Sequence, residues 1–242
     1  MKLREKHKDE LFSIAKRGLA TAIAVLSFWG STAPEILEEQ NVFVLSRYAG
    51  AITTIVLIGC VRSSFCNLLT PGLSCRERKM GTILFWFCVS ISFDLLWRLP
   101  YLALDGISKA PKTKDGLYWK IFWWSYSLND PWYDSMNPLV TGLEIWRLLG
   151  NVTGGIGLYK YYMGDPRQKQ KDYNECLLLF CVCGVLQCYN TSIYLFFSFY
   201  LGGSPSARRH ILSQFVFWGL NCFWVLASAT SSIFSYQLLL GK

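Results

Sequence analysis

Histidine is nearly missing: the 242 residues contain two, His7 and His210, and both lie in charged flanks rather than in an apolar run. Charge is scarce too, at 17% of residues, against roughly 25% in ordinary soluble domains. The chain carries no P-loop, no dinucleotide fingerprint, no Ser-His-Asp arrangement and no internal repeat. Its nine cysteines are too few for a disulfide scaffold. No spacing among them fits a zinc site, and most lie in apolar runs as small hydrophobic residues do. Together these absences argue against a water-soluble enzyme, a disordered chain and a collagen-like fibre. They call for no metal and no cofactor.

What is abundant is apolar sequence: 52% hydrophobic and 16% aromatic residues. The net charge of +8 would suit nucleic acid, but the basic residues are not gathered into one patch. They fall in short clusters between apolar runs, the pattern of a multi-spanning membrane protein. A spanning helix needs about 20 mostly apolar residues. Five segments meet that need: Val42 to Val61, Gly81 to Leu104, Pro138 to Tyr161, Tyr173 to Leu201 and Ile211 to Leu240. A sixth, Gly18 to Pro34, is shorter and follows a basic lead. With six crossings, fifteen of the 24 Lys and Arg fall on one side and six on the other. That asymmetry places both termini in the cytoplasm. The expected fold is thus an all-α integral membrane protein, with a basic N-terminal segment and extra helix over residues 1–41 and a helical bundle over 42–242.

The remaining three basic residues, Arg47, Arg98 and Arg147, lie inside spans, as do Asp94 and Glu144. Charges in the bilayer are costly and normally face the bundle interior, so each is a functional candidate by default. Asp94 and Arg98 are four apart, and Glu144 and Arg147 three apart, so each pair shares a helix face. They form either two self-neutralising ion pairs or the lining of a polar site, and the second reading is preferred. Two carboxyls in a low-dielectric bundle can divide acid and base work if one is protonated and the other ionised.

The run Trp123-Trp124-Ser125-Tyr126-Ser127-Leu128-Asn129-Asp130, with Glu144 fourteen residues after Asp130, resembles the emopamil-binding protein family (the EXPERA domain). That family carries a W-x-x-Y-x-x-x-D loop before a helix bearing a Glu at that distance. Gln187-Cys188-Tyr189 and Tyr194 are similar to its Q-x-Y and later Tyr, and Asn221-Cys222-Phe223-Trp224 to its N-x-x-W. The likeness covers residues 81 to 240. It implies five family helices in the endoplasmic reticulum membrane around a lipid-accessible cavity. The family's sterol isomerases shift a ring double bond through a cationic intermediate held by carboxylates and aromatic faces. On that likeness Glu144 is the acid/base or cation-stabilising carboxylate, and the charges inside the spans add Asp94 and Arg98 as the other candidate catalytic residues. Trp123, Tyr126, Asp130, Arg147, Gln187, Tyr189, Asn221 and Trp224 line the substrate site, with Asn190 beside Tyr189 adding a donor. The family's His and following Glu, however, are replaced here by Arg98 and Leu102, or one turn earlier by Asp94 and Arg98.

Arginine keeps its proton, so Arg98 would hold an anion or polarise a carbonyl rather than act as an acid. The reading is an isomerase or cyclase of a sterol, terpenoid or polyketide; the alternative is a non-catalytic sterol- or lipid-binding relative. The expected partners are a hydrophobic small molecule and the bilayer, not nucleic acid. Gly150-Asn151-Val152-Thr153-Gly154 contains a G-x-x-x-G, which serves packing within the bundle, the preferred reading, or a homodimer.

Overall fold

The computed structural model describes residues 72–103, 137–164, 168–200 and 211–242, together with Trp132 and four positions between 13 and 20. The described residues are all helical, with no strand. They form α1 (Cys75–Phe93), one π-helical turn (Asp94–Arg98), α2 (Leu99–Ala103), α3 (Pro138–Met163), α4 (Lys169–Tyr200) and α5 (Ile211–Leu239). The first three are continuous, so four helical rods result. The expected segments at 18–34 and 42–61 lie outside the described residues.

Local sequence sets the rod ends. α1 begins six residues before the apolar segment because Ser74 and Glu77 make a reciprocal capping box. The Glu77 amide donates to Ser74 Oγ at 3.3 Å, and the Ser74 amide donates to Glu77 Oε2 at 2.8 Å. The basic turn Arg76-Glu77-Arg78-Lys79 is thereby helical although it is not apolar. At α3, Pro138 opens the first turn and Asn137 Oδ1 accepts from the Leu139 amide at 2.9 Å. α5 ends on Gly241 at φ 76°, with the Gly241 amide bonded to Leu238 O and the Lys242 amide to Gln237 O. That is a Schellman ending, and only a residue without Cβ adopts it freely. Lys79 Nζ then reaches Lys242 O at 3.4 Å, tying the start of α1 to the end of α5.

α4 packs between α3 and α5, and α1 touches both of those, closing the bundle. α1 is buried on every face from Met80 to Phe87. Phe87 stacks on Phe180 of α4 at 4.8 Å, and Trp86 meets Trp224 of α5 edge-on at 4.7 Å.

Gln170–Tyr200 and Phe217–Leu239 are long and apolar enough to cross a membrane. Many large apolar side chains also face outward, while several charged and polar ones are buried beside the apolar core. Trp146, Leu149, Val152 and Ile156 of α3, and Leu178, Val182 and Val185 of α4, face outward. Asp94, Arg98, Glu144, Arg147, Asn151 and Gln187 are buried. Large apolar exteriors of this kind mark surfaces that meet lipid or another apolar partner.

In lipid, apolar burial does not drive helices together; close packing and interhelical hydrogen bonds do. The glycines of α3 and α4 supply that approach. A Cβ at Gly154 would stand 3.1 Å from Cys183 Sγ and 3.2 Å from Phe87 Cδ1, and at Gly150 3.4 Å from Leu186 Cβ. The G-x-x-x-G therefore packs within the bundle. Gly184 is tighter still: a Cβ there would lie 2.9 Å from the Ser228 carbonyl oxygen, main chain that cannot swing away. Gly184→Ala is expected to force α4 and α5 apart and cost about 1–3 kcal/mol. Gly155→Ala, whose Cβ would meet only Ile91 Cδ1 at 4.0 Å, is the matched control. Thermal unfolding in micelles should show a lowered midpoint for the first and none for the second.

Candidate functional site

Each rod carries polar side chains at helical spacing on its inward face. They are Trp86, Ser90, Asp94 and Arg98 on the first rod, and Glu144, Arg147 and Asn151 on α3. α4 adds Gln187 and Thr191, and α5 adds Ser228. Their hydrogen bonds join into one closed ring. Gln187 Nε2 donates to Ser90 Oγ at 2.9 Å and to Asn151 Oδ1. Asn151 Nδ2 donates to Asp94 Oδ2. Asp94 pairs with Arg98, and Arg98 Nε donates to Glu144 Oε2. Arg147 Nη1 donates to Glu144 Oε1 at 2.7 Å, and its Nη2 to Thr191 Oγ1 at 2.8 Å. Thr191 Oγ1 donates to Gln187 O at 2.9 Å, returning to the start.

Four charged groups in this ring are almost wholly withdrawn from solvent: Asp94 2%, Arg98 7%, Glu144 2% and Arg147 6% exposed. Two cations alternate with two anions, so the formal charge is zero. Removing an ion from water costs several kcal/mol, and only such alternation with full hydrogen bonding offsets it. Both intrahelical pairs exist, and the Arg98–Glu144 bond fuses them across helices. Arg98 thus turns Nε and Nη1 to the protein's own carboxylates.

The π turn places the first pair. Its defining bond runs from the Leu99 amide to Asp94 O, five residues back. One residue more than an α turn fits between Asp94 and Leu99, and such turns recur at functional sites.

Gln187 is the hub. Its Oε1 accepts from Trp86 Nε1 at 3.2 Å and from Ser228 Oγ at 3.0 Å, so all four rods meet on one amide. Trp86, Ser90 and Ser228 were not among the expected site residues. Each lies four residues from another polar member of its helix, and that spacing was the available signal.

The remaining expected residues divide. Trp224 packs its ring against Trp86 and, at 5.7 Å, Phe93. Asn221 is buried, and its Nδ2 donates to Phe217 O at 2.8 Å. Asn190 is buried beside Thr191. Tyr189, 62% exposed, faces outward and takes no part in the ring. Trp123, Tyr126 and Asp130 lie outside the described residues. Among the described residues no group of three or more His, Cys, Asp or Glu is placed to hold a metal. No family model, curated protein or solved structure matches this chain.

Proposed function

We propose that the chain is a membrane-embedded isomerase or cyclase that acts on a hydrophobic sterol, terpenoid or polyketide by acid/base chemistry inside its helical bundle. In this reading it is a diverged emopamil-binding-protein relative, with five family helices and one extra N-terminal helix in the endoplasmic reticulum membrane. The supporting observation is the buried Asp94–Arg98–Glu144–Arg147 sequence of alternating charges. A bundle held only by packing has no need of four ions, and ions at such depth are kept where they act. Their surroundings separate the two carboxylates. Glu144 meets two guanidiniums, whereas Asp94 meets one guanidinium and the Asn151 amide. Glu144 therefore serves as the fixed negative charge, and Asp94 as the carboxyl that exchanges a proton with substrate.

A second reading, a non-catalytic sterol- or lipid-binding protein, is favoured by one feature: each of the four ions already has a protein partner. Mass spectrometry of hydrophobic molecules co-purified with the wild type and with Asp94→Asn separates the two. An isomerised or cyclised product from the wild type, with its precursor from the variant, is the result expected of the enzyme. The same unaltered molecule from both would establish the binder. Turnover should fall about 10²–10⁴-fold in Asp94→Asn, the usual contribution of a positioned acid or base.

A further inference from the structure

The hydrogen bonds that lead from Trp86 to Asp94 run in one sense. Trp86 Nε1 is an indole nitrogen, which donates and never accepts. Its bond to Gln187 at 3.2 Å therefore requires the Gln187 oxygen at that place. The other end of the same amide, Nε2, is thereby turned to Asn151, where only the side-chain oxygen can receive it. Ser90 Oγ at 3.2 Å and Cys183 Sγ at 3.3 Å give to that oxygen as well. Asn151 Nδ2 is then left facing Asp94 Oδ2, as a donor. The hydroxyls along this path do not set its sense, because a hydroxyl gives or takes as needed. Ser228 Oγ, 3.0 Å from Gln187 Oε1, has a second acceptor in Trp224 O at 2.7 Å. Trp86 is the member that cannot reverse.

We infer that Trp86 is a positioning residue which, through Gln187 and Asn151, holds Asp94 as a carboxylate. Asp94 Oδ2 has to accept, so it carries no proton. Arg98, which pairs with Asp94 from the same rod, also only donates. Among the described residues the other charges nearby are Glu144 and Arg147 on α3, reached through Arg98. From α4 and α5 the ring receives only uncharged groups, Gln187, Thr191 and Ser228. Reversing the relay would offer a protonated Asp94 an acceptor, the Asn151 oxygen. It would also set the Gln187 amide nitrogen against the Trp86 N–H and strand a buried donor. The consequence for chemistry rests on the enzymatic reading of the ring and narrows it: Asp94 takes a proton before it gives one. The substrate then offers a C–H bond made acidic by a neighbouring carbonyl, not an alkene or epoxide that has to be protonated first. The C–H electron pair stays with the substrate, spread onto the carbonyl oxygen, and the proton passes to Asp94. Asp94 returns it to another carbon of the same molecule, so nothing is oxidised or reduced and no co-reactant is needed.

The test uses the full chain in nanodiscs, labelled with carbon-13 in aspartate and nitrogen-15 in asparagine and glutamine side chains. Solid-state magnetic resonance separates a charged from a neutral carboxyl, and Asp94→Asn assigns the signal by removing it. In the wild type at neutral pH, Asp94 should be charged and its carboxyl carbon should couple to the Asn151 side-chain nitrogen. Trp86→Phe keeps a ring against Trp224 and Phe223 but removes the donor; Gln187→Leu cuts the relay one step later. Either should protonate Asp94 at about a 10-fold lower proton concentration than the wild type, the worth of no longer stranding a buried donor when the relay reverses. Trp224→Phe disturbs the same ring contact without touching the relay, and should titrate with the wild type. A wild type whose Asp94 is neutral, or whose Asn151 nitrogen faces Gln187 instead, overturns the inference whether or not the variants fold. Folded variants that titrate with the wild type overturn it too. No substrate enters these measurements, so a relay that holds while no product co-purifies would keep Trp86 in its role and sink the enzyme. Turnover by a protein whose Asp94 rests neutral would keep the enzyme and overturn the relay.

Discussion

Arg98→Met should destabilise the bundle by about 3–5 kcal/mol, the cost of stranding buried ions by removing one partner. The reason is arithmetic within the ring. Arg98 bonds Asp94 and Glu144 at once, from a different rod in the second case. Without it the ring carries a net charge of −1, and two carboxylates share one guanidinium. Methionine fills similar space, so packing changes little. Restoring neutrality by the second change, Asp94→Asn, should therefore recover part of the loss. The double variant is expected to unfold at a higher temperature than Arg98→Met alone, as followed by tryptophan fluorescence in nanodiscs. If the single and double variants melted together, the ring would not be acting through its charge balance.

At the hub, Gln187→Leu and Gln187→Glu should both destabilise, in that order of increasing severity. Leucine matches glutamine in size but accepts nothing. Trp86 Nε1 loses its acceptor, which costs about 1–3 kcal/mol for a buried donor; Ser228 Oγ still has Trp224 O at 2.7 Å. Glutamate keeps an acceptor for Trp86 but turns the Nε2 donor into an oxygen facing Asn151 Oδ1. It also adds a negative charge to a neutral, buried ring, a penalty of several kcal/mol. Denaturation midpoints for the three proteins would check the ranking. A glutamate variant as stable as wild type would show that Gln187 Nε2 is not needed as a donor.

The helices were legible because apolar runs of spanning length leave little choice of structure. Their ends were less so. The Ser74/Glu77 box extends α1 through a basic turn that an apolar criterion rejects, and α4 likewise begins at Lys169. Within the site, Asp94 with Arg98 and Glu144 with Arg147 followed from spacing along one helix. The Arg98–Glu144 bond could not, since it depends on which rods meet and at what rotation. Ser90 and Ser228 went unnoticed because single hydroxyls are common in membrane helices; only their alignment with charged neighbours sets them apart. Tyr189 shows the opposite error. It stands two residues from Gln187, about 200° around an α-helix at roughly 100° per residue. With Gln187 turned to the centre, Tyr189 has to face out.

The π turn at Asp94–Arg98 makes the charged ring sensitive to chain length in a way no side-chain substitution reproduces. Loss of a single codon between positions 95 and 97 would let the turn relax to α-helical bonding with its flanking helices intact. Residues from Leu99 onward would keep their face, since an α turn with one residue fewer ends where the π turn does, but the arginine would stand three residues after Asp94 instead of four while every charged residue stayed in the gene. The reverse event, one inserted codon in a plain helix, is the simplest way for an inert helical rod to have acquired this arrangement. Descent with or without that one residue would then mark which related chains keep the ring.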